Sequence, residues 1–191
     1  MDDIGVIHGR FQVLHNDHMK YILDGKKLCR HLLIGICNPD ISLTGYNDAN
    51  PHRSLRSSNP MTYFERFECI KGAMISNGVD ISEFDIIPFP IDFPQLILNY
   101  APSYAVFYTT IFDDWGKIKY EILKNQLHLN VRIIREVPSE QKGISASTIR
   151  HLISKGAEWK HFVPENVYYY IVKNKIDERI SYFLKSENDH P

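Results

Sequence analysis

Short apolar runs of strand length recur along this chain between stretches with helical spacing, and that alternation most narrows what the chain can fold into. A strand, a covering helix and a further strand in succession form the unit of a parallel sheet, because a crossover helix returns the chain to the end where the previous strand began. Runs at 4–8, 32–37, 84–89, 104–108 and 131–135 read as five strands. Helical patterns near 16–29, 62–76, 93–100 and 114–128 separate them, and two more near 146–155 and 164–185 follow the last strand. The predicted architecture is an α/β, Rossmann-like parallel sheet of about five strands with helices on both faces and a C-terminal helical segment. With 191 residues and neither repeat nor linker, residues 1–191 are expected to form one domain, with 162–191 a helical extension packed on it.

Several helix ends are written in local chemistry. Thr62 and Glu65 form a T-x-x-E capping box, and Asn77-Gly78 stops the same helix. Asp92 before Phe93-Pro94, and Asp113-Asp114 before Trp115, place acidic caps where the helix dipole favours negative charge. Ser145 opens the next helix and Gly156 closes it. In the last helical segment Tyr168, Val172, Ile176, Ile180 and Leu184, flanked by Val167, Ile171 and Phe183, form a stripe for packing on the domain.

Composition excludes several classes of function. A net charge of −1 gives no general attraction to a phosphodiester backbone, so a small ligand is favoured over nucleic acid. No run reaches the ~18 apolar residues of a membrane span. The acidic opening Met1-Asp2-Asp3 is unlike a signal peptide, and three cysteines without a CxxC pair fit a reducing compartment, so a cytoplasmic protein without a membrane partner is expected. Cys29, Cys37 and Cys69 read as packing residues. Neither GxGxxG nor GxxxxGK[ST] occurs, and His31, His52, His128, His151, His161 and His190 lack zinc-ligand spacing.

The strongest chemical signal is Gly9-Arg10-Phe11-Gln12-Val13-Leu14-His15-Asn16-Asp17-His18, where the first strand gives way to the first helix. Ligands of parallel α/β sheets bind at the carboxyl ends of strands, and a helix start offers N–H groups and positive dipole to an anion. His15 and His18, three apart on one helix face, could hold a triphosphate there, and His8 lies on the strand leading in. Near the other end, Ile144-Ser145-Ala146-Ser147-Thr148-Ile149-Arg150 opens a helix with hydroxyls, backbone N–H groups and a guanidinium fork suited to phosphate oxygens. Lys142-Gly143 precedes it. Residues 38–61 are polar, rich in Pro and Asn and long for a plain connection. They read as a functional loop whose His52, Arg53 and Arg56 could close over phosphates, or equally as a solvated surface loop.

These two motifs resemble the signatures of the HxGH nucleotidylyltransferase superfamily, within it the archaeal-type nicotinamide-mononucleotide adenylyltransferases with their GRFQP-x-H-x-GH and ISSTxIR runs. Asn59-Pro60-Met61-Thr62-Tyr63-Phe64-Glu65-Arg66 is similar to that group's NPFT-x-x-ER, and Pro88 to Asp92, Asp114-Trp115-Gly116 with Lys119, and Val163-Pro164-Glu165 continue the likeness in order. The chain departs at Asp17, where the family has glycine, at Val13, where it has proline, and in the long 38–61 loop.

The resemblance implies in-line attack of an acceptor phosphate oxygen on the α-phosphorus of a nucleoside triphosphate, with pyrophosphate released and no covalent intermediate. In that reading His15, His18 and Arg150 are catalytic, while Gly9, Arg10, Phe11, Gln12, Asp17, Ser145, Ser147 and Thr148 bind the nucleotide. Asp92 and Trp115 fall where the resembling enzymes bind the acceptor. Mg²⁺ is expected to arrive with the triphosphate, so no protein ligand is assigned to it. ATP and nicotinamide mononucleotide are the favoured substrates, with CTP and a phosphate or phosphonate acceptor as the alternative and a non-catalytic nucleotide-binding module behind both. Self-association into a homo-oligomer is left open.

Overall fold

The computed structural model describes residues 1–40, 55–136 and 143–188. Five strands form: β1 (Asp2–Gly9), β2 (Cys29–Cys37), β3 (Phe84–Phe89), β4 (Val106–Ile111) and β5 (Asn130–Glu136). All pair in parallel, in the order β3-β2-β1-β4-β5. The first crossovers step outward from β1 in one direction and the later ones in the other, so the order reverses between β1 and β4, the point where Rossmann-like sheets receive ligands. Pro88 sits in β3, an edge strand, where its missing N–H breaks no ladder in the middle of the sheet. The other edge, β5, carries Arg132, Arg135 and Glu136, charges of the kind that keep an edge from pairing further.

Residues 1–10, 20–39 and 79–143 make one compact unit and residues 11–19, 40–78 and 144–191 a second. The first holds the sheet, most of helix α1 (Asn16–Lys26), and helix α3 (Asp114–Glu121). Both sheet faces are covered within it. Val6, Leu33 and Phe107 share a buried cluster with Ile97, Leu123 and Leu129 from the connections after β3 and β4. On the opposite face α1 comes so close at Gly25 that a Cβ there would lie 2.8 Å from the Ile7 side chain, too near for any residue but glycine.

The second unit is helical: α2 (Tyr63–Ser76), α4 (Ala146–Ser154), α5 (Glu165–Lys173) and α6 (Ile176–Asn188). α4 packs on α6 and α5 on α2, burying Ile149 and Ile153, Ile176 and Ile180, Val167 and Ile171, and Ile70 and Ala73. The capping box at α2 forms as expected, with Glu65 N–H donating to the Thr62 hydroxyl at 3.2 Å and Thr62 N–H to the Glu65 carboxylate at 2.8 Å. That carboxylate also accepts two bonds from Arg179 of α6, at 2.8 and 2.9 Å. Asp113 and Ser145 cap α3 and α4, and the three cysteines are buried and free. Among the described residues no helix is long and apolar enough to cross a membrane.

Three expectations are corrected. The 93–100 helix is a 3₁₀ segment, Pro94–Asn99, whose cap position is Phe93, without a side-chain cap, so Asp92 lies one residue before that position. The 114–128 helix is α only to Glu121, then widens into a π turn, Ile122–Gln126, and stops before His128 at φ 54°. The single C-terminal helix is two, because Asn174 folds its side chain onto the Tyr170 carbonyl (2.8 Å) and Lys175 takes the left-handed region at φ 54°. The stripe therefore packs in two halves, and Val172 at the break is exposed.

Candidate functional site

The residues of the first motif from Phe11 to His18 and those of the last motif lie in the second unit and converge there. Phe11 is buried with φ 53°, turning the chain sharply as it leaves the strand. Gln12 is buried too, its amide clasping the backbone of Met61: Nε2 donates to the carbonyl and Oε1 accepts from the N–H, both at 2.8 Å. The first motif is thus bolted to Asn59-Pro60-Met61, and Gln12 braces the turn.

His15 occupies the position before α1 that Ser or Asp usually fills. Its Nδ1 accepts from the His18 N–H at 3.4 Å and its carbonyl accepts from the Met19 N–H at 3.0 Å. A ring nitrogen that accepts carries no proton in the neutral imidazole, so in that form Nε2 bears the hydrogen. The His15 and His18 rings stack with centroids 3.6 Å apart at 25°, and Phe11 meets His18 edge-on at 5.2 Å. His15 is nearly buried and His18 half-buried, so both imidazoles are held on the first turn of α1 by packing. Asp17, between them, is exposed in the same turn.

At α4 the Ser145 Oγ accepts from the Thr148 N–H at 3.1 Å and lies 2.8 Å from the Thr148 hydroxyl, while Ser147 and Thr148 remain exposed. Arg150 is 5 % exposed, not an open surface fork. One terminal nitrogen, Nη1, donates to the Gln12 carbonyl, and Nε is buried with no hydrogen-bond partner among the described residues. Burial pushes its pKa down to about 10, against a smaller opposing pull from Glu187, so it stays cationic at neutral pH. The guanidinium and the two imidazoles thus meet around one backbone turn, 11–18.

Within the first unit, β1 ends at Gly9, with Arg10 half-buried just beyond. Asp92 follows β3 and is half-buried. Trp115, in the first turn of α3, packs partly against the cluster of Phe89, Ile91 and Phe107. His8, one residue inside the end of β1, is buried flat on Phe89, with centroids 4.5 Å apart at 12°. The sequence marks His8 only by its place on the strand leading into the motif, as a residue that could touch a ligand. His52, Arg53 and Lys142 lie outside the described residues, while Arg56 sits over the Phe183 ring at 5.9 Å.

Residues 6–152 match the model of the cytidylyltransferase-like family. Over 92 % of its length, and 94 % of the relative's, the chain is 39 % identical to a phosphonoformate cytidylyltransferase of Streptomyces viridochromogenes. Over the same shares it is 29 % identical to a nicotinamide-nucleotide adenylyltransferase of Saccharolobus solfataricus. In fold it is similar to the crystal structure of a bifunctional NMN adenylyltransferase/ADP ribose pyrophosphatase from Francisella tularensis, with a TM-score of 0.66 at 16 % identity, covering all of this chain and about half (54 %) of that one. A Rossmann-like sheet, paired imidazoles at the first helix start and a family match spanning both motifs agree: the chain belongs to the cytidylyltransferase-like family and is a nucleotidyltransferase.

Proposed function

We propose that the chain transfers CMP from CTP to a small phosphonate or phosphate acceptor, with phosphonoformate the first candidate. The observation that carries this reading is the 39 % identity to a phosphonoformate cytidylyltransferase over nearly the whole of both chains, against 29 % to the adenylyltransferase. It reverses the order expected from motif resemblance, which favours ATP and nicotinamide mononucleotide. Asp17 and Val13, where the sequence leaves the adenylyltransferase pattern, lie within the same turn as the imidazoles.

In the proposed reaction an anionic oxygen of the acceptor attacks the α-phosphorus of CTP in line. A new P–O bond forms as the bond from the α-phosphorus to the bridging oxygen breaks, and the electron pair leaves with pyrophosphate. His18 donates to the α-phosphate oxygens as charge shifts toward the leaving group, and the Nε2–H of His15 holds the triphosphate. Arg150, Ser147, Thr148 and the first-turn amides of α4 take the β- and γ-phosphates. Magnesium enters on the triphosphate as part of the substrate, keeping most of its waters and few protein ligands.

Pyrophosphate release from CTP and ATP, each with phosphonoformate and with nicotinamide mononucleotide, tests the reading. CTP with phosphonoformate should give the highest kcat/KM of the four pairs. Release confined to ATP with nicotinamide mononucleotide would overturn it.

A further inference from the structure

Residues 55–61, which lead into α2, are held by one face of α6. Arg179, Phe183 and Glu187 stand four residues apart on that helix, and each grips the segment. Arg179 Nη1 donates to the Pro60 carbonyl at 3.1 Å, the Phe183 ring lies 5.9 Å from the Arg56 guanidinium, and Glu187 Oε1 accepts from the Ser57 N–H at 3.0 Å. Between these grips the segment turns on itself, the Ser58 N–H donating to the Leu55 carbonyl at 3.1 Å and the Asn59 N–H to the Arg56 carbonyl at 3.0 Å. Its far end, Met61, is the residue clasped by Gln12, whose own carbonyl accepts from Arg150. Ser57, Met61, Gln12 and Arg150 are all buried. A line of contacts therefore runs from the last turn of α6 to the guanidinium without leaving the second unit.

Glu187 stands out in that line. A carboxylate in the last turn of a helix faces the negative end of the dipole, which disfavours it there. Arg179 also serves the start of α2 through Glu65, whereas Glu187 meets a backbone N–H 130 residues away. A carboxylate that accepts from a buried amide makes a strong and directional tether.

We infer that Glu187 is a positioning residue for triphosphate binding: by holding Ser57 it fixes the segment 57–61 and, through Met61 and Gln12, the place of the Arg150 guanidinium. It acts through these neighbours and touches no substrate. The inference rests on the proposed role of Arg150 at the β- and γ-phosphates and deepens it, naming what keeps that group aimed.

The test is the affinity of the full chain for CTP and for CMP, with magnesium and no acceptor, by calorimetry in the parent, Glu187→Ala, Glu187→Gln and Arg150→Met. CMP lacks the two phosphates assigned to Arg150, so the preference for CTP over CMP reads that group, while a general loosening of the fold weakens both ligands alike. Glu187→Ala should lower the preference about tenfold, the scale of one hydrogen bond to a charged group, with the affinity for CMP within about twofold of the parent's. Glu187→Gln keeps an oxygen that accepts from the Ser57 N–H and loses only the charge, so it should recover most of the preference. An unchanged preference in Glu187→Ala, an equal loss for CTP and CMP, or a Gln variant as impaired as the Ala variant would each overturn the inference. If Glu187→Ala keeps the preference and Arg150→Met loses it, the inference alone fails. If Arg150→Met keeps it, the role of Arg150 in the proposed reaction fails and the inference with it. A parent that binds ATP more tightly than CTP contradicts the proposed base, and Glu187 is then judged by the same preference for ATP over AMP.

Discussion

His15 does two things with one ring: Nδ1 closes the first turn of α1, and the ring face stacks on His18. Removing the second imidazole leaves that cap in place. His18→Ala should therefore fold normally by circular dichroism yet lose ~10²-fold or more in kcat for pyrophosphate release at saturating CTP; near-normal turnover in a folded variant would take His18 out of the reaction. Under the proposed cytidylyl transfer, Asp17, exposed in the first turn of α1, is the candidate for reading the base. Asp17→Gly is expected to lower the ratio of kcat/KM for CTP over ATP roughly ten- to a hundredfold, the scale of one charge-assisted hydrogen bond. An unchanged ratio would leave Asp17 as a first-turn carboxylate favoured by the helix dipole. The sequence motifs single out His15, His18 and Arg150, which the structure brings around the turn 11–18. The bond from Arg150 to the Gln12 carbonyl is not legible in the sequence, because it joins positions 138 residues apart and has no local pattern.

At the scale of elements, the structure keeps most of what local chemistry writes, the cap expected at Asp92 being the exception. The start of α2, the caps at Asp113 and Ser145, and all five strands follow from side chains within a few residues of one another. The failures lie where backbone conformation overrides a pattern. Four-residue apolar spacing runs unbroken through Asn174-Lys175, so periodicity alone could not show the break there. β4 begins at Val106, not 104, and runs on to Ile111 through two threonines that an apolar count passes over. Glu65 joins the two kinds of information, since its capping role is local and its pairing with Arg179 is not. Burial alone would raise the Glu65 carboxyl, but the hydrogen bonds from Arg179 and the Thr62 N–H outweigh it and hold the group below its ordinary value of 4.5. Its contribution is thus present above that value and lost as the pH falls through the lowered one. Glu65→Ala should cost about 1–3 kcal/mol in urea unfolding at neutral pH, a cap plus a partly screened ion pair, and less at pH 3. A cost that does not shrink on acidification would mean the charge pair contributes nothing.

For the molecule as a whole, the alternating pattern makes the parallel sheet legible, and the crossover order β3-β2-β1-β4-β5 is one of the few arrangements that short, untangled connections allow. The division into two compact units is not legible, because segments from three parts of the chain interleave in each. Global stability should carry the mark of His8. In the unfolded chain it protonates near 6.5, while in the folded protein burial and Lys119 keep it neutral well below that. The unfolded state therefore binds more protons between those two values. Stability is full above 6.5 and falls as the pH drops toward the lowered value, by at most ~1.4 kcal/mol per pH unit. Denaturant unfolding from pH 7.5 to 5 should show this slope in the parent and a shallower one in His8→Phe; identical slopes would contradict the buried neutral imidazole. The central claim, CMP transfer to a phosphonate, is tested most directly by ³¹P NMR of the enzyme with magnesium, CTP and phosphonoformate. The account predicts a new pair of mutually coupled doublets, from a phosphonate joined through oxygen to CMP, growing in step with the pyrophosphate signal. A spectrum in which CTP and phosphonoformate persist unchanged, while ATP and nicotinamide mononucleotide under the same conditions yield a dinucleotide, would contradict it.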